Sequence, residues 1–296
     1  MGGNAFPTLD LRRIKREEIS TTVQYIVDSL AIDDFTYDYA INHLMGSAGK
    51  QDSSGDLDFA LNNRPARFIG EPDLPVFNIK AIAARAREVL PEGSVNTKTL
   101  RGGQFQSAWP VEGKPINGLV QVDFIIGDPE WLLFSHYSPG KDISPWKGVM
   151  ISTMLGVLAK VHTDFELFND DDERIGKIGW QFDLEKGLYR KYKLRLRPNQ
   201  GLSEVTPDYF ETKVPSVMRL PRLDHLTHPD IVNRILFDGD IDRSEIDTFE
   251  KVVKVVKTRM PERFEEIKKR FLEAFTRSAG QNDYRLEDVA NDEIWR

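Results

Sequence analysis

Apolar residues follow a helical period along several stretches of the chain. In residues 15–30 and again in residues 78–90 they recur every three or four positions, which predicts two amphipathic helices. Ser144, followed by a proline, predicts the N-terminus of a third helix. Two further helices are predicted near the C-terminus, one capped by Ser244 and one opened by Pro261.

Alternating apolar and polar residues predict strands in the regions between these helices. Residues 57–61 alternate in this way, and residues 104–111 and 119–126 flank a short turn, so that an antiparallel pair is expected. Residues 178–184 and 188–196 predict a hairpin. The pattern favours an α+β protein with a mixed sheet flanked by helices and a helical C-terminal domain.

The distribution of these elements predicts two domains with a boundary near residue 200. Residues 1–200 would form an α+β domain with an appended hairpin over about 177–197, and residues 201–296 would form the helical domain. A proline-rich connector is expected over residues 198–229.

The net charge, the cysteine content and the apolar runs of the chain exclude several classes of protein. The chain has 296 residues, a net charge of -7 and no cysteine. The acidic balance argues against a protein that coats nucleic acid, and the lack of cysteine excludes disulfides, thiolate nucleophiles and thiolate zinc sites. We find neither a signal sequence nor an apolar run long enough for a membrane span, and therefore expect a cytoplasmic protein without membrane partners.

The chemistry of the chain is concentrated in three aspartates. Since strand side chains alternate, Asp56 and Asp58 project from one face while Leu57 points into the core. Such a pair can hold one or two hard cations, Mg²⁺ or Mn²⁺, for which carboxylate oxygen is the preferred ligand. Asp123 lies within an apolar strand, where a carboxylate is costly unless a metal or a basic side chain pairs with it. A salt bridge is the alternative for Asp123.

These residues resemble a pattern of the nucleotidyltransferase superfamily that includes DNA polymerase beta. Gly46-Ser47, a short loop and Asp56-Leu57-Asp58 match the family's order and spacing, and Asp123 is the best match for its third carboxylate. The resemblance covers roughly residues 40–165. It implies a nucleotidyltransferase-like fold in which Asp56 and Asp58 bind two metal ions and Asp123 binds one of them.

The resemblance also implies an activity, the transfer of a nucleoside monophosphate from an NTP to an acceptor hydroxyl with release of pyrophosphate. Gly46 and Ser47 would lie against the phosphates, because a glycine turn leaves backbone N–H groups accessible. Lys50, Ser138 and Lys147 are further expected nucleotide contacts. A solvated lysine and an ordinary strand-to-helix loop are the alternatives for these three.

A basic ribbon follows in the predicted hairpin. Alternation places Lys191, Lys193, Arg195 and Arg197 on one strand face, where they could contact the phosphates of an RNA or DNA acceptor. A solvent-facing or protected edge strand explains the same pattern equally well. A protein acceptor is not excluded by the sequence.

A second hypothesis is a non-catalytic structural or assembly module that retains the fold. The layout also resembles uncharacterised nucleotidyltransferase-like proteins of tailed phages. The presence of all three carboxylates favours the enzyme, whereas an Asp123 turned away from the pair would favour the module.

Overall fold

A computed structural model describes residues 5–295, with gaps at 66–73, 141, 145, 147, 163–164, 170, 214–225, 279–285 and 292. The chain divides into two compact units. The first comprises Met1–Val149 with Asp247–Phe249, and the second Met150–Ile246 with Glu250–Arg296. The domain boundary predicted near residue 200 lies inside the second unit.

The first unit is built from helices and a mixed sheet. Its described elements are β1 (Ile14–Lys15), α1 (Ile19–Leu30), α2 (Tyr37–Asn42), β2 (Ser53–Ser54), β3 (Asp56–Asn62), α3 (Ile79–Val89), β4 (Val95–Asn96), β5 (Gln104–Pro110), β6 (Leu119–Gly127) and α4 (Pro129–Ser135). The two helices predicted here are confirmed as α1 and α3. Helices α2 and α4 were not predicted, because six or seven residues are too few to reveal a helical period.

The mixed sheet has the strand order β3-β6-β5-β4. Strand β3 runs parallel to β6, whereas β6 is antiparallel to β5 and β5 is antiparallel to β4. The predicted antiparallel pair is therefore confirmed as β5 and β6. The parallel pairing of β3 with β6 brings together two strands whose first residues, Asp56 and Leu119, are 63 positions apart.

One face of this sheet carries the core of the first unit. Leu57 and Phe59 of β3 and Phe124 of β6 are fully buried in a cluster that includes the apolar stripes of α1 and α3. Each such side chain contributes roughly 1.5–3 kcal/mol when removed from water. Because alternate residues face opposite ways, this burial turns Asp56 and Asp58 toward the other face.

The remaining chain contains an antiparallel sheet and further helices. The described elements are α5 (Gly148–Val161), β7 (Phe165–Phe168), β8 (Arg174–Asp183), β9 (Gly187–Arg195), β10 (Leu202–Val205), α6 (Pro207–Lys213), α7 (Pro229–Leu236), α8 (Phe249–Arg259), α9 (Phe264–Ser278) and α10 (Leu286–Asn291). The order of the second sheet is β10-β9-β8-β7. Its central hairpin, β8 and β9, confirms the hairpin prediction.

The second sheet has an apolar face against α6. Ile178, Tyr192 and Leu194 bury one face of the sheet together with Phe210 of α6. A Cβ at Gly176 would lie 3.2 Å from the Phe210 ring, so glycine allows this close packing. The other face of β9 therefore carries the side chains at odd-numbered positions.

Three local predictions are wrong. The proline-rich connector contains β10 and α6, whose four and seven residues are too few to give a periodic signal. Ser244 does not cap α8. Asp242 accepts a hydrogen bond from the Ser244 N–H and caps a short 3₁₀ turn over Arg243–Glu245, and α8 begins at Phe249. Ser144 does not cap α5, which begins at Gly148, and its Oγ accepts a hydrogen bond from the Trp146 N–H at 3.0 Å. Pro145 lies outside the described residues.

The described structure is that of an α+β protein with a mixed four-stranded sheet and a helical C-terminal region, as the sequence predicts. In the last two long helices, Val252, Val256, Ile267 and Phe271 are buried. Among the described residues, every helix is too short or too polar to span a lipid bilayer.

Candidate functional site

The three aspartates of the sequence prediction lie on one face of the mixed sheet. In the register of the parallel pair, Asp58 of β3 stands directly opposite Asp123 of β6, and Asp56 stands opposite Gln121. Neighbouring strands are about 4.8 Å apart, and residues two apart on a strand are about 7 Å apart. The backbone thus places three carboxylates around one point of the sheet.

The same face continues as a polar row across all four strands. Asp58 is opposite Asp123, Asp123 is opposite Gln106 of β5, and Gln106 is opposite Asn96 of β4. Beyond this row, toward the carboxyl end of β3, the same face becomes apolar, and Ala60 packs with Leu132 of α4. Polar groups on an otherwise buried sheet need hydrogen-bond partners, and the Gln106 amide oxygen accepts a bond from Thr99 at 3.3 Å.

Gln121 holds Asp123 in its present orientation. Its amide Nε2 donates a hydrogen bond to Asp123 Oδ1 at 2.8 Å, and its Oε1 accepts one from the Ala5 N–H at 3.2 Å. The Gln121 side chain is buried, whereas Asp123 is half-buried. The bond directs one Asp123 oxygen along β6.

Burial raises the pKa of all three carboxyl groups, and repulsion by neighbouring carboxylates adds to the rise at Asp58 and Asp123. Desolvation is the largest cause of the raised pKa of Asp58, and the charges of Asp56 and Asp123 add to it. Desolvation also raises the pKa of Asp123 to about 7, although its bond from Gln121 acts in the opposite direction. The pKa of Asp56 is raised by desolvation and partly lowered by the nearby charge of Arg13. The cluster therefore resists holding three negative charges at once.

The carboxylates do not form a finished metal site. Within the described part of the chain, no group of three or more His, Asp or Glu side chains is arranged so that it could hold a metal ion. The register and the raised pKa values nevertheless show that the three groups are neighbours. A shared ion would require other orientations of these side chains, and Asp123 keeps its Oδ2 outside the bond with Gln121.

Gly46 lies directly against the Asp58 carboxylate. Its φ is +66°, and an added Cβ would be 3.1 Å from Asp58 Oδ2. The segment is held there because the Met45 N–H donates to the Asp58 carbonyl and the Gly46 N–H donates to the His136 carbonyl. Glycine is favoured at this position because of its backbone conformation and because a Cβ would crowd the carboxylate.

The turn after Gly46 presents backbone donors. Among the described residues, the N–H groups of Ser47, Ala48 and Gly49 donate no hydrogen bond. The Ser47 hydroxyl shares a hydrogen bond with the Ser54 hydroxyl at 2.8 Å. Lys50 returns across the turn, with Nζ donating to the Gly46 carbonyl at 3.2 Å and lying 4.9 Å from the Tyr137 ring centroid. Successive backbone N–H groups in such a turn can bind an anion.

The other expected nucleotide contacts are less favourably placed. Ser138 is 5% exposed, and its Oγ accepts a hydrogen bond from the Gly148 N–H at 3.3 Å. This hydroxyl therefore helps to hold the start of α5. Lys147 lies outside the described residues.

The basic ribbon lies in the second unit. Lys191, Lys193 and Arg195 occupy odd positions of β9, opposite to the face that packs against α6. Lys191 Nζ forms an ion pair with Glu204 of β10 at 3.0 Å. Arg197 is exposed and lies beyond the end of the strand, where its carbonyl closes a turn with the Gln200 N–H.

Three residues of the acidic site were not predicted. Gln121 and Gln106 flank Asp123, and the first could have been found from its spacing of two residues before Asp123 on the same strand. Arg13 donates to the Ser53 carbonyl at 2.7 Å and acts electrostatically on Asp56. No local pattern predicts the position of Arg13, because it depends on the two-residue pairing of β1 with β2.

Comparisons of the chain with protein-family models, with curated proteins and with solved structures each give no match.

Proposed function

We propose that this protein is a metal-dependent nucleotidyltransferase, which moves a nucleoside monophosphate from an NTP to an acceptor hydroxyl and releases pyrophosphate. The observation that carries the proposal is the register of β3 and β6, which sets Asp58 opposite Asp123 with Asp56 on the same face. The nucleotidyltransferase-like pattern of Gly46-Ser47 and Asp-x-Asp is the further support.

Asp56 and Asp58 would hold two divalent cations, Mg²⁺ or Mn²⁺, and Asp123 would hold one of them. The donor set fits these ions, since carboxylate oxygens are hard ligands and the repulsion that raises the pKa of Asp58 would be relieved by positive charge. When bound, such ions neutralise charge on the triphosphate and make an acceptor hydroxyl easier to deprotonate.

The protein's own groups have separate tasks in this proposal. Gly46 lets the turn that follows it begin directly beside the Asp58 carboxylate. The N–H groups of Ser47, Ala48 and Gly49 bind phosphate oxygens, and Lys50 gives up its bond to the Gly46 carbonyl to add a positive charge. Gln121 orients the Asp123 carboxylate through the hydrogen bond to Oδ1 and leaves Oδ2 for an ion.

The acceptor hydroxyl belongs to RNA, DNA, a small molecule or a protein, and the proposal places the reaction in the cytoplasm. The acidic site itself would bind only the triphosphate and the metal ions, and it does not determine the acceptor. The acceptor is therefore to be identified by incubating the protein with NTPs labelled at the α-phosphorus and following the label.

Binding of NTP with Mg²⁺, measured by isothermal titration calorimetry, tests the proposal. The Asp56→Asn/Asp58→Asn variant is expected to lose metal-dependent NTP binding and transfer of the label. A matched control exists in Asp240 and Asp242, which have the same Asp-x-Asp spacing but are exposed. The Asp240→Asn/Asp242→Asn variant should bind as the wild type does. Equal metal-dependent binding by both variants would refute the proposal.

A non-catalytic assembly module is the second candidate function. It is favoured by the observation that the described His, Asp and Glu side chains form no ready group of three ligands, with Asp123 bonded to Gln121. Electron paramagnetic resonance of added Mn²⁺ separates the candidates. Ions bound by the wild type but not by the Asp56→Asn/Asp58→Asn variant support the enzyme, whereas no bound Mn²⁺ in the presence of NTP supports the module.

A further inference from the structure

The second sheet carries a basic face on a protein that is acidic overall. Along β9, the odd positions from 189 to 195 are tyrosine, lysine, lysine and arginine, and all four side chains are half-buried. Lys177 of β8 stands directly opposite Lys193, so this level of the sheet has cations on both central strands. With a net charge of -7 for the whole chain, the positive charge is local.

Three carboxylates lie close to this face, those of Glu204 on β10, Asp183 on β8 and Glu166 on β7. Glu204 on β10 stands opposite Lys193, but its carboxylate pairs with Lys191 at 3.0 Å. Glu166 on β7 stands opposite Lys177 and pairs with Arg174 at 3.0 Å. Lys193 has no ion pair in the described part of the chain.

Arg195 contains a donor that lacks an acceptor. Its Nε is buried and has no hydrogen-bond partner among the described residues. A buried guanidinium N–H without an acceptor costs free energy, and a phosphate oxygen is a favoured partner for this group. Because this Nε is shielded from solvent, a phosphate beside β9 would contact the Nη groups of Arg195.

The spacing of these cations suits a chain of phosphates. Lys191, Lys193 and Arg195 are two residues apart in an extended strand, so that neighbouring cations repeat every ~7 Å. Tyr189 continues the same face, opposite Gln181 of β8. An aromatic ring in line with a row of cations is the combination that binds single-stranded nucleic acid, through base stacking and backbone charge.

We propose that this face, formed by Tyr189, Lys191, Lys193 and Arg195 of β9 with Lys177 of β8, binds single-stranded nucleic acid along the β9 strand. The cations contact successive phosphates and the tyrosine stacks on a base. Binding here requires neither divalent ions nor NTP, and it goes beyond the proposed transfer reaction.

Fluorescence anisotropy of a labelled oligo-dT or oligo-U of about 20 nucleotides tests the proposal. The titrations contain EDTA and no NTP, so that a failure of the transferase proposal leaves the result unaffected. The test variant is Lys193→Gln/Arg195→Gln. The control is Lys254→Gln/Arg270→Gln, which removes the same charge from exposed positions of α8 and α9. Circular dichroism verifies that each variant is folded.

The wild type and the control are expected to bind, and the test variant to bind at least about tenfold more weakly. Loss of two phosphate contacts should reduce the slope of log affinity against log salt by about 1.4. A Tyr189→Leu variant should bind at least about fivefold more weakly with an unchanged salt slope, because stacking releases no counterions.

Three results would overturn the proposal. They are no binding by the wild type at low salt, an equal loss of affinity in the test and control variants, and displacement of the oligonucleotide by polyglutamate at an equal charge concentration. The last result would identify the basic face as a site for an acidic protein segment.

Discussion

Replacing Asp123 with asparagine should stabilise the metal-free protein at neutral and alkaline pH. The half-buried carboxyl of Asp123 has its pKa raised from the ordinary 3.8 to about 7, chiefly by desolvation. The folded state therefore holds this proton more tightly than the unfolded state does. The favourable contribution is complete below about pH 4 and is lost as the pH rises toward about 7.

The size of the effect follows from the two pKa values. The pKa values of Asp123 in the unfolded and folded states differ by about three, and each pKa unit corresponds to about 1.4 kcal/mol. The upper limit of the stabilisation is therefore about 4 kcal/mol. Partial access of water to the carboxyl reduces this limit, and we expect a gain of ~2–4 kcal/mol in the free energy of unfolding. Asparagine carries no charge, and its Oδ1 can still accept the bond from Gln121. The variant should consequently exceed the wild type in free energy of unfolding by this amount at pH 8.

Urea unfolding in EDTA at pH 4.5, 6 and 8, followed by circular dichroism, measures the effect. Only the difference between wild type and Asp123→Asn is used, since other groups also titrate over this range. An Asp28→Asn variant on the exposed side of α1 serves as the control and should show no pH-dependent gain. A variant that is less stable than the wild type at pH 8, or a gain independent of pH, would refute the electrostatic account.

Three further predictions concern packing and backbone strain. Gly46→Ala should destabilise the protein by more than Gly93→Ala does. Both glycines have a positive φ, where alanine costs about 1–2 kcal/mol, but only a Cβ at position 46 crowds Asp58. Equal losses of stability in urea unfolding would contradict this prediction. Leu57→Ala should cost about 2–5 kcal/mol in the same assay, and a loss below about 1 kcal/mol would show that its site collapses readily. Phe210→Ala should cost about 3–5 kcal/mol and increase amide exchange in β8 and β9, whereas unchanged exchange would contradict its packing role.

The predictable parts of the fold are those whose pattern is long enough to repeat. Helix α1 was identified from its apolar stripe, and the hairpin of β8 and β9 from two alternating runs. The short elements α2, α4 and β10 were missed, because one or two turns of helix or four residues of strand show no period. Their positions depend on local caps and tertiary contacts, such as the Asp128 side chain accepting the Glu130 N–H at the start of α4.

The acidic site was predicted in part. The alternation of β3 is sufficient to place Asp56 and Asp58 on one face, and the apolar surroundings of Asp123 marked it as unusual. The bond from Gln121 to Asp123 and the position of Arg13 near Asp56 could not be derived. Both depend on side-chain orientation or on pairing between segments that are distant in sequence.

The sequence by itself determined which residues face the core and which face outward, since strand and helix periods are local properties of the chain. It thereby determined that Asp56 and Asp58 share a face. Only the tertiary structure decided that β6 lies parallel to β3 with Asp123 opposite Asp58. Register between separate strands is set by the packing of whole faces, and no local pattern in either strand contains that information.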